Sequence, residues 1–364
     1  SPSRTKFVSA ELSSSKSARA APLPLGQAWL VLVVVVIAEL MGLIDTSVAN
    51  LAGPSIRADL GGGPMTLQWV LSPFGILAAA LGWCVLPRRS GEDRGARLDL
   101  LGVGLLTAGS ALLIVPLIQG RDLGWPAWTY VMIAAALVAF GLFVVSERHS
   151  SHPVISPSLF GKRSFMVGLL IVGGFYAALS AFVLVINLLL QSGIGWTPLH
   201  TGFALIPWAA GTAVATLASG AVLAEKLGRA NLYLGLSIAV VGLLALQWST
   251  AHWGDAITAW KLTPALLVTG VGSGLVFVPL FDFILGDATT EEVGTGAGVL
   301  NAARQFAGAI GVAALGTVFF TRLGQPSTPS YFAASDLVFG SCAGVYVLVL
   351  LLVGLLPKHS RVTL

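Results

Sequence analysis

The sequence predicts an all-α polytopic integral membrane protein of about ten transmembrane helices, on three observations. First, 55% of the 364 residues are hydrophobic and only 10% charged, with a mean hydropathy of +0.87, whereas soluble domains carry about 25% charged residues. Second, charge-free windows recur along the chain, at 60–87, 100–120, 123–146, 164–224, 230–254, 262–281 and 337–357. A membrane-spanning helix needs about 20 apolar residues, so these windows supply spans repeatedly. Third, the 43 glycines occur within long apolar runs, where they suit close helix packing in lipid rather than disorder.

Residues 1–27 are rich in Ser, Ala and Pro and hold Arg4, Lys6, Lys16 and Arg19, the pattern of a disordered basic tail. The apolar run that follows is too long for a signal peptide and lacks a small-residue cleavage site. The window 164–224 is too long for one span, and Gly193–Pro198 divides it into two. The expected spans are 28–50, 67–87, 98–119, 127–146, 165–190, 199–223, 231–249, 262–284, 294–320 and 336–357. Cys84 and Cys342 lie inside apolar spans and read as packing residues.

Charge orients these spans. With both termini cytoplasmic, fifteen of the twenty Lys and Arg residues fall in cytoplasmic segments. Four fall outside (Arg57, Arg121, Lys261 and Arg322), and Arg304 is intramembrane. The positive-inside rule therefore places the chain as a multi-pass protein of the cell membrane with both ends inside. Single cysteines at positions 92 and 123 test this. In intact cells an impermeant reagent should label position 123 and spare position 92, and labelling of 92 from outside would reverse every loop. The +4 net charge thus reports topology, and no nucleic-acid partner is expected.

The stretch Gly294–Phe320, GTGAGVLNAARQFAGAIGVAALGTVFF, holds the most chemistry. At helical spacing Gly294, Gly298, Asn301, Gln305, Gly308 and Val312 share one face, a small-and-polar stripe that lets a neighbouring backbone approach. Arg304, about 10 residues and some 15 Å into a helix starting at Gly294, costs about 2.5–3.5 kcal/mol at that depth. Such a residue faces a partner or a wet cavity, or else snorkels to the headgroups. Glu39 and Asp45 in the first span are about 9 Å apart along the axis, too far for one site. Asp45 can carry a proton, pair with a cationic molecule, or be hydrated near the headgroups. Glu39 lies deeper and requires a partner or a neutral form. Asp282 ends a helix containing Gly270, Gly272, Gly274 and Pro279, a sequence that allows a kink; solvation and transport are equal readings of it. His149 and His152 have metal-like spacing but no Cys or carboxylate companions, so no metal and no cofactor is expected. The chain lacks G-x-x-x-x-G-K-[ST], H-E-x-x-H and G-x-S-x-G, and no enzyme activity is expected.

Several motifs resemble the fourteen-helix drug:proton antiporters of the major facilitator superfamily (the EmrB/QacA type). The pattern G-x-G-x-G-x-x-N-x-x-R-Q-x-x-G-x-x-G at 294–311 is similar to that class's penultimate helix. Asp45, Thr46, Asn50, Ala52, Pro54 and Ile56 match its first-helix signature L-D-x-T-x-V-N-x-A-L-P-x-I, with Gly53 where the family has Leu. Leu223, Glu225, Lys226, Gly228 and Arg229 match the cytoplasmic loop motif G-x-L-a-D-r-x-G-r, with Ala221 at its first Gly. The expected physics there is a tight Gly turn whose acid and bases lock two helix ends. Gly195–Gly202 with Pro207 resembles the outer turn G-x-S-P-L-x-x-G-x-x-x-x-P.

The resemblance breaks once. Gln68–Ser72 resembles the start of the family's second helix and Pro73–Pro87 the end of its sixth, while Arg97–Gly102 resembles the start of the seventh. Helices two to five are therefore expected to be missing, and four taken from fourteen leaves the ten spans counted. The implied organisation is a tail (1–27), a remnant of the N-terminal bundle (28–97), an extra two-helix hairpin and loop (98–164), and a C-terminal six-helix bundle with a short tail (165–364). The implied fold is a major-facilitator fold with an incomplete N-terminal bundle. The implied function is proton-coupled efflux of amphipathic drugs or metabolites, inactivated here by the deletion; the other reading is a non-transporting membrane scaffold or remnant. The implied partners are a small-molecule substrate, protons and the lipid bilayer, with a homo-oligomer as one way to cover the open bundle.

Overall fold

A computed structural model describes residues 100–120, 124–149, 161–286 and 290–356, all within the second of the chain's two compact units, Asp93–Leu364. The expected spans 28–50 and 67–87, the junction at Ser72–Pro73, and the candidates Glu39, Asp45 and Asn50 lie outside the described residues.

Every regular element among the described residues is helical. The main helices are α1 (Leu100–Gln119), α2 (Ala127–His149), α3 (Arg163–Leu188), α4 (Pro198–Ala218), α5 (Arg229–Trp253), α6 (Ala259–Leu285), α7 (Thr290–Leu323) and α8 (Thr328–Val353). Helices α3 and α4 each end in a five-residue π turn, Leu189–Gly193 and Ser219–Leu223. The seven helices α2–α8 are long and apolar enough to cross a membrane, and α1 has a shorter apolar run, Gly104–Leu117.

Two boundaries differ from the sequence reading. Helix α7 starts at Thr290, ahead of Gly294, and runs 34 residues, about 51 Å, which exceeds the roughly 30 Å apolar core of a bilayer. Its extra turn carries Glu291 and Glu292, acids that favour a helix N-terminus. Helix α8 starts at Thr328 rather than 336 because Ser327 and Ser330 form a reciprocal capping box with Pro at the first turn.

Helices α3–α8 form one bundle with a repeated contact pattern. Helix α6 packs on α4 and α5 as α3 packs on α7 and α8, and α5 meets α8. Exchanging α3 with α6, α4 with α7 and α5 with α8 maps these pairings onto themselves, the signature of two three-helix repeats. The hairpin α1–α2 touches the bundle at α7, where Phe140 meets Phe306 edge to face at 5.9 Å.

Glycine sets the helix spacing. In α6, a Cβ on Gly270 or Gly274 would strike the carbonyls of Trp208 or Thr212 on α4, and one on Gly272 would strike the backbone of Ala239 on α5. The glycines that suggest a kink in sequence are thus contact points on two opposite faces. Hydroxyls stitch the same seam: Thr212 Oγ1 donates to the Gly270 carbonyl at 3.2 Å and Thr216 Oγ1 to the Gly274 carbonyl at 3.2 Å. At the repeat-equivalent seam, Gly311 of α7 lies against the backbone of Ala177 on α3, and Gly308 against Ser180.

Two ends of the bundle are chemically distinct. Lys162, Arg163, Lys226 and Arg229 gather at one, the basic end, where α3 and α5 start and α4 and α6 finish. Exposed Trp248, Trp253 and Trp260 mark the other, the tryptophan end, as expected of aromatic residues at a membrane interface.

Candidate functional site

The close approach of α7 to α3 places the intramembrane arginine. One turn from the Gly308–Ser180 contact, Arg304 lies with its guanidinium carbon 5.6 Å from the centroid of the Tyr176 ring. Tyr176 in turn packs on Phe277 of α6 at 6.0 Å. Phe175 meets Phe277 edge to face and stacks on Tyr346 of α8 at 5.4 Å. The arginine therefore caps an aromatic cluster drawn from three helices. A guanidinium over an aromatic face gains about 0.5–2 kcal/mol, the upper value where water is excluded. Arg304 is half-buried, so one side of its charge stays accessible.

The rest of the stripe is open. Gly294, Gly298, Asn301 and Gln305 are exposed, and added Cβ atoms on the two glycines would meet nothing within 4 Å. The sequence reading of one close-packing face is corrected here. Gly308 and Gly311 make the helix contact, with buried Leu300 and Ala307 behind them, while Gly294 to Gln305 line an uncovered side of α7. The helical period is the reason: at about 100° per residue, residue 308 lies about 50° and residue 311 about 110° from the 294–305 line, enough to turn from a free face into a packed one.

Asp282 is exposed near the basic end of α6, one turn from its close, and the structure does not bring it to Arg304 through any contact. The loop candidates fall around the start of α5. Leu223 closes the π turn of α4, Glu225 and Lys226 lie in the one-turn helix Ala224–Leu227, and Lys226 is exposed. Gly228 has φ +51° and ψ −128°, a conformation open in practice only to glycine. That turn aims Arg229 at the end of α8, where its Nη1 donates to the carbonyls of Gly354 at 3.1 Å and Leu356 at 2.6 Å. The arginine of the motif thus satisfies carbonyls that a helix end leaves free. Behind the loop, Asn231 donates to Ser219 at 2.7 Å in a buried link between α5 and α4. Replacing Arg229 with Gln should lower the melting temperature in detergent by several degrees, about 1–2 kcal/mol for two charge-assisted bonds. Replacing exposed Lys226 with Gln should leave it unchanged; equal melting of the two variants would show the bonds are idle.

Sequence reasoning missed two further polar features. Lys162 and Glu292 form an ion pair at 2.6 Å, tying the start of α3 to the first turn of α7. At the other end Asp336 of α8 accepts a 2.6 Å hydrogen bond from Thr250 of α5. Both join residues far apart in sequence; the signal available was a lone acid inside an apolar helix, which Asp336 provides.

Comparison with known proteins assigns this architecture. The family profile described as Major Facilitator Superfamily matches residues 120–312, which includes α2–α6 and α7 through Val312. The chain is 35% identical to the probable actinorhodin transporter of Streptomyces coelicolor, over 77% of this chain and 49% of that protein. It is 32% identical to the cephamycin export protein CmcT of Amycolatopsis lactamdurans, over 88% of this chain and 67% of that protein. It is 28% identical to multidrug resistance protein Stp of Mycobacterium tuberculosis, over 78% of this chain and 52% of that protein. Against the first and third of these, the chain spans about half the relative's length. The profile covers more than half of the chain, and it takes in α3–α6 of the repeated bundle whole and α7 in part. This multi-pass membrane protein belongs to the Major Facilitator Superfamily.

Proposed function

We propose that the chain derives from a proton-coupled exporter of amphipathic drugs or metabolites, of the fourteen-helix antiporter class, and that its substrate face is the open side of α7. One observation carries this reading: a half-buried arginine, set on Tyr176, borders an uncovered stripe containing Asn301 and Gln305. Lipid penalises such polar atoms at membrane depth, so the face belongs against water or a second bundle. An arginine, two carboxamides and an aromatic cluster suit a ligand with a flat apolar body and anionic or acceptor groups. The names of the relatives, an antibiotic exporter and a multidrug resistance protein among them, support export as the direction.

In this reading residues 165–364 are the C-terminal bundle and 98–164 the extra hairpin, with the basic end cytoplasmic. Asp45 carries the proton, with Glu39, Asn50 and Asp282 as further pathway residues. Arg229 and its loop hold the cytoplasmic gate. Rocking of two bundles around a midplane site requires both bundles, and the lineage's helices two to five are missing near Ser72–Pro73. The chain as it stands is therefore expected to insert and to bind ligand without driving export.

Proteoliposomes with an imposed pH gradient and a fluorescent amphipathic dye test this. The chain should show no gradient-dependent dye movement. A chimera that receives helices two to five of the Streptomyces coelicolor relative between Ser72 and Pro73 should show it, and should lose it on Asp45→Asn. Movement by the unmodified chain, abolished by Asp45→Asn, would show that ten helices suffice. A correctly assembled chimera that neither binds nor moves the dye would refute the exporter reading.

A further inference from the structure

Helix α6 approaches the basic end with a carbonyl that its own backbone cannot bond in the usual way. Proline has no N–H, so Pro279 leaves the Leu275 carbonyl without its donor from four residues on. Leu275 and Pro279 are both buried, where an unbonded carbonyl is costly. Two fully buried side chains from neighbouring helices take the donor's place. Ser219, in the π turn that ends α4, donates through Oγ to the Leu275 carbonyl at 3.4 Å. Asn231 of α5 donates one amide hydrogen to the same carbonyl at 3.4 Å and the other to Ser219 Oγ at 2.7 Å. The hydrogens balance: the amide gives two, the serine accepts one and gives one, and the carbonyl receives two. Further along this seam Thr212 and Thr216 donate to the Gly270 and Gly274 carbonyls, whose helical partners Gly274 and Val278 each carry an N–H.

Two features suit the node to release rather than to permanent bracing. Both bonds to the Leu275 carbonyl exceed the roughly 2.7–3.2 Å of a strong N–H···O or O–H···O contact. Asn231 Oδ1 is also buried without a hydrogen-bond partner, so the closed arrangement carries an unsatisfied acceptor. Turning the amide over would set Oδ1 against the Leu275 oxygen, acceptor to acceptor, and only move the deficit to the nitrogen. Asn231 belongs to the loop as well. Its backbone N–H donates at 3.0 Å to the carbonyl of Gly228, the positive-φ turn that aims Arg229 at the end of α8. Beyond Pro279, Asp282 is exposed, while Ile284 is buried against Gly168 near the start of α3.

From this geometry we propose that Asn231 and Ser219 form a latch on the Leu275 carbonyl, through which the loop at Gly228 sets the position of the last turns of α6. With the latch closed, α4 and α5 supply the hydrogen bonds that Pro279 denies the helix. When the loop turns at Gly228, Asn231 withdraws its amide and α6 bends at Pro279. The bend carries Asp282 with it and moves Ile284 against α3. The latch is separate from the open face of α7 and does not depend on what that face binds.

Hydrogen–deuterium exchange of the full chain in lipid nanodiscs, read by mass spectrometry, tests the latch. In Asn231→Leu and in Ser219→Ala the amides of residues 280–285 should exchange about fivefold faster than in the wild type, the factor for one lost hydrogen bond. Residues 265–274 of the same helix should exchange as before. Pro279→Ala returns a backbone donor to Leu275, and in that background Asn231→Leu should change exchange at 280–285 by less than about twofold. Gly228→Ala, which strains the loop turn, should speed exchange at 280–285 and should lose that effect with alanine at 279. Equal effects of Asn231→Leu with proline and with alanine at 279 would overturn the proposal, because a loss of packing alone persists in both. Unchanged exchange at 280–285, in the latch variants or in Gly228→Ala, would overturn it too, as would an equal rise at 265–274. Ser219→Ala removes a single oxygen, so it keeps the test decisive if Asn231→Leu assembles poorly.

Discussion

Gly270→Leu should abolish assembly of the six-helix bundle, while Gly298→Leu should be tolerated. The two glycines are alike in sequence, each inside an apolar helix, yet their surroundings are opposite. A Cβ on Gly270 meets the Trp208 carbonyl carbon at 2.9 Å and its Cα at 3.0 Å. These are backbone atoms of α4, which cannot rotate aside as a side chain can. Overpacking a close-packed interior costs about 1–3 kcal/mol even where side chains can move. Here α4 must separate from α6 as a unit, which also breaks the Thr212 and Thr216 bonds to the Gly270 and Gly274 carbonyls. Without a hydrophobic driving force between helices in lipid, that loss of close contact removes what holds the pair together. Size-exclusion chromatography in detergent should show a monodisperse peak for the wild type and Gly298→Leu and aggregate for Gly270→Leu. A Gly270→Leu protein that elutes and melts like wild type would show that the α4–α6 seam is not the close contact described.

The contrast also marks how far the sequence could lead. Long charge-free windows are visible without any partner, because a span must be apolar whatever it packs on; helices α2 to α6 follow those windows closely. Starts were harder. Thr328-Pro-Ser330 reads as loop, since Ser and Pro favour turns, yet the same residues cap α8. The polar stripe on α7 was readable as a face from its period, but not which edge of it met a neighbour. That depends on α3, where Ala177 and Ser180 are ordinary small residues. Tyr176 beneath Arg304, and Thr250 opposite Asp336, were illegible for the same reason: pairing across helices leaves no local spacing. The loop at Gly228 was legible because a glycine with positive φ is a local requirement, whereas the carbonyl partners of Arg229 at the end of α8 are not encoded near it.

Arg304→Leu should weaken binding of an amphipathic anionic dye by about tenfold, roughly 1.4 kcal/mol, while Arg322→Leu should change it less than about twofold, under roughly 0.4 kcal/mol. The two arginines share α7 but differ in their surroundings. Arg322 is exposed in the last turn of the helix, where water screens its charge. Arg304 is half-buried over Tyr176, in a medium where a charge acts over a longer range. Leucine at 304 removes the five donors of the guanidinium and leaves the aromatic cluster intact, so the loss should appear in affinity more than in folding. Arg304→Lys separates charge from shape: lysine keeps the positive charge but has neither the planar stacking surface nor the fixed fork of donors. It should therefore recover only part of the binding. Gln305→Leu, one residue on and fully on the open face, should cost less than Arg304→Leu because it removes a neutral group that water can serve equally well. Fluorescence titration of the purified chain in detergent, with melting curves recorded for each variant, measures both quantities. If Arg304→Leu and Arg322→Leu have equal and negligible effects on binding and melting, then Arg304 is a snorkelling residue and the open face of α7 is not where the ligand sits.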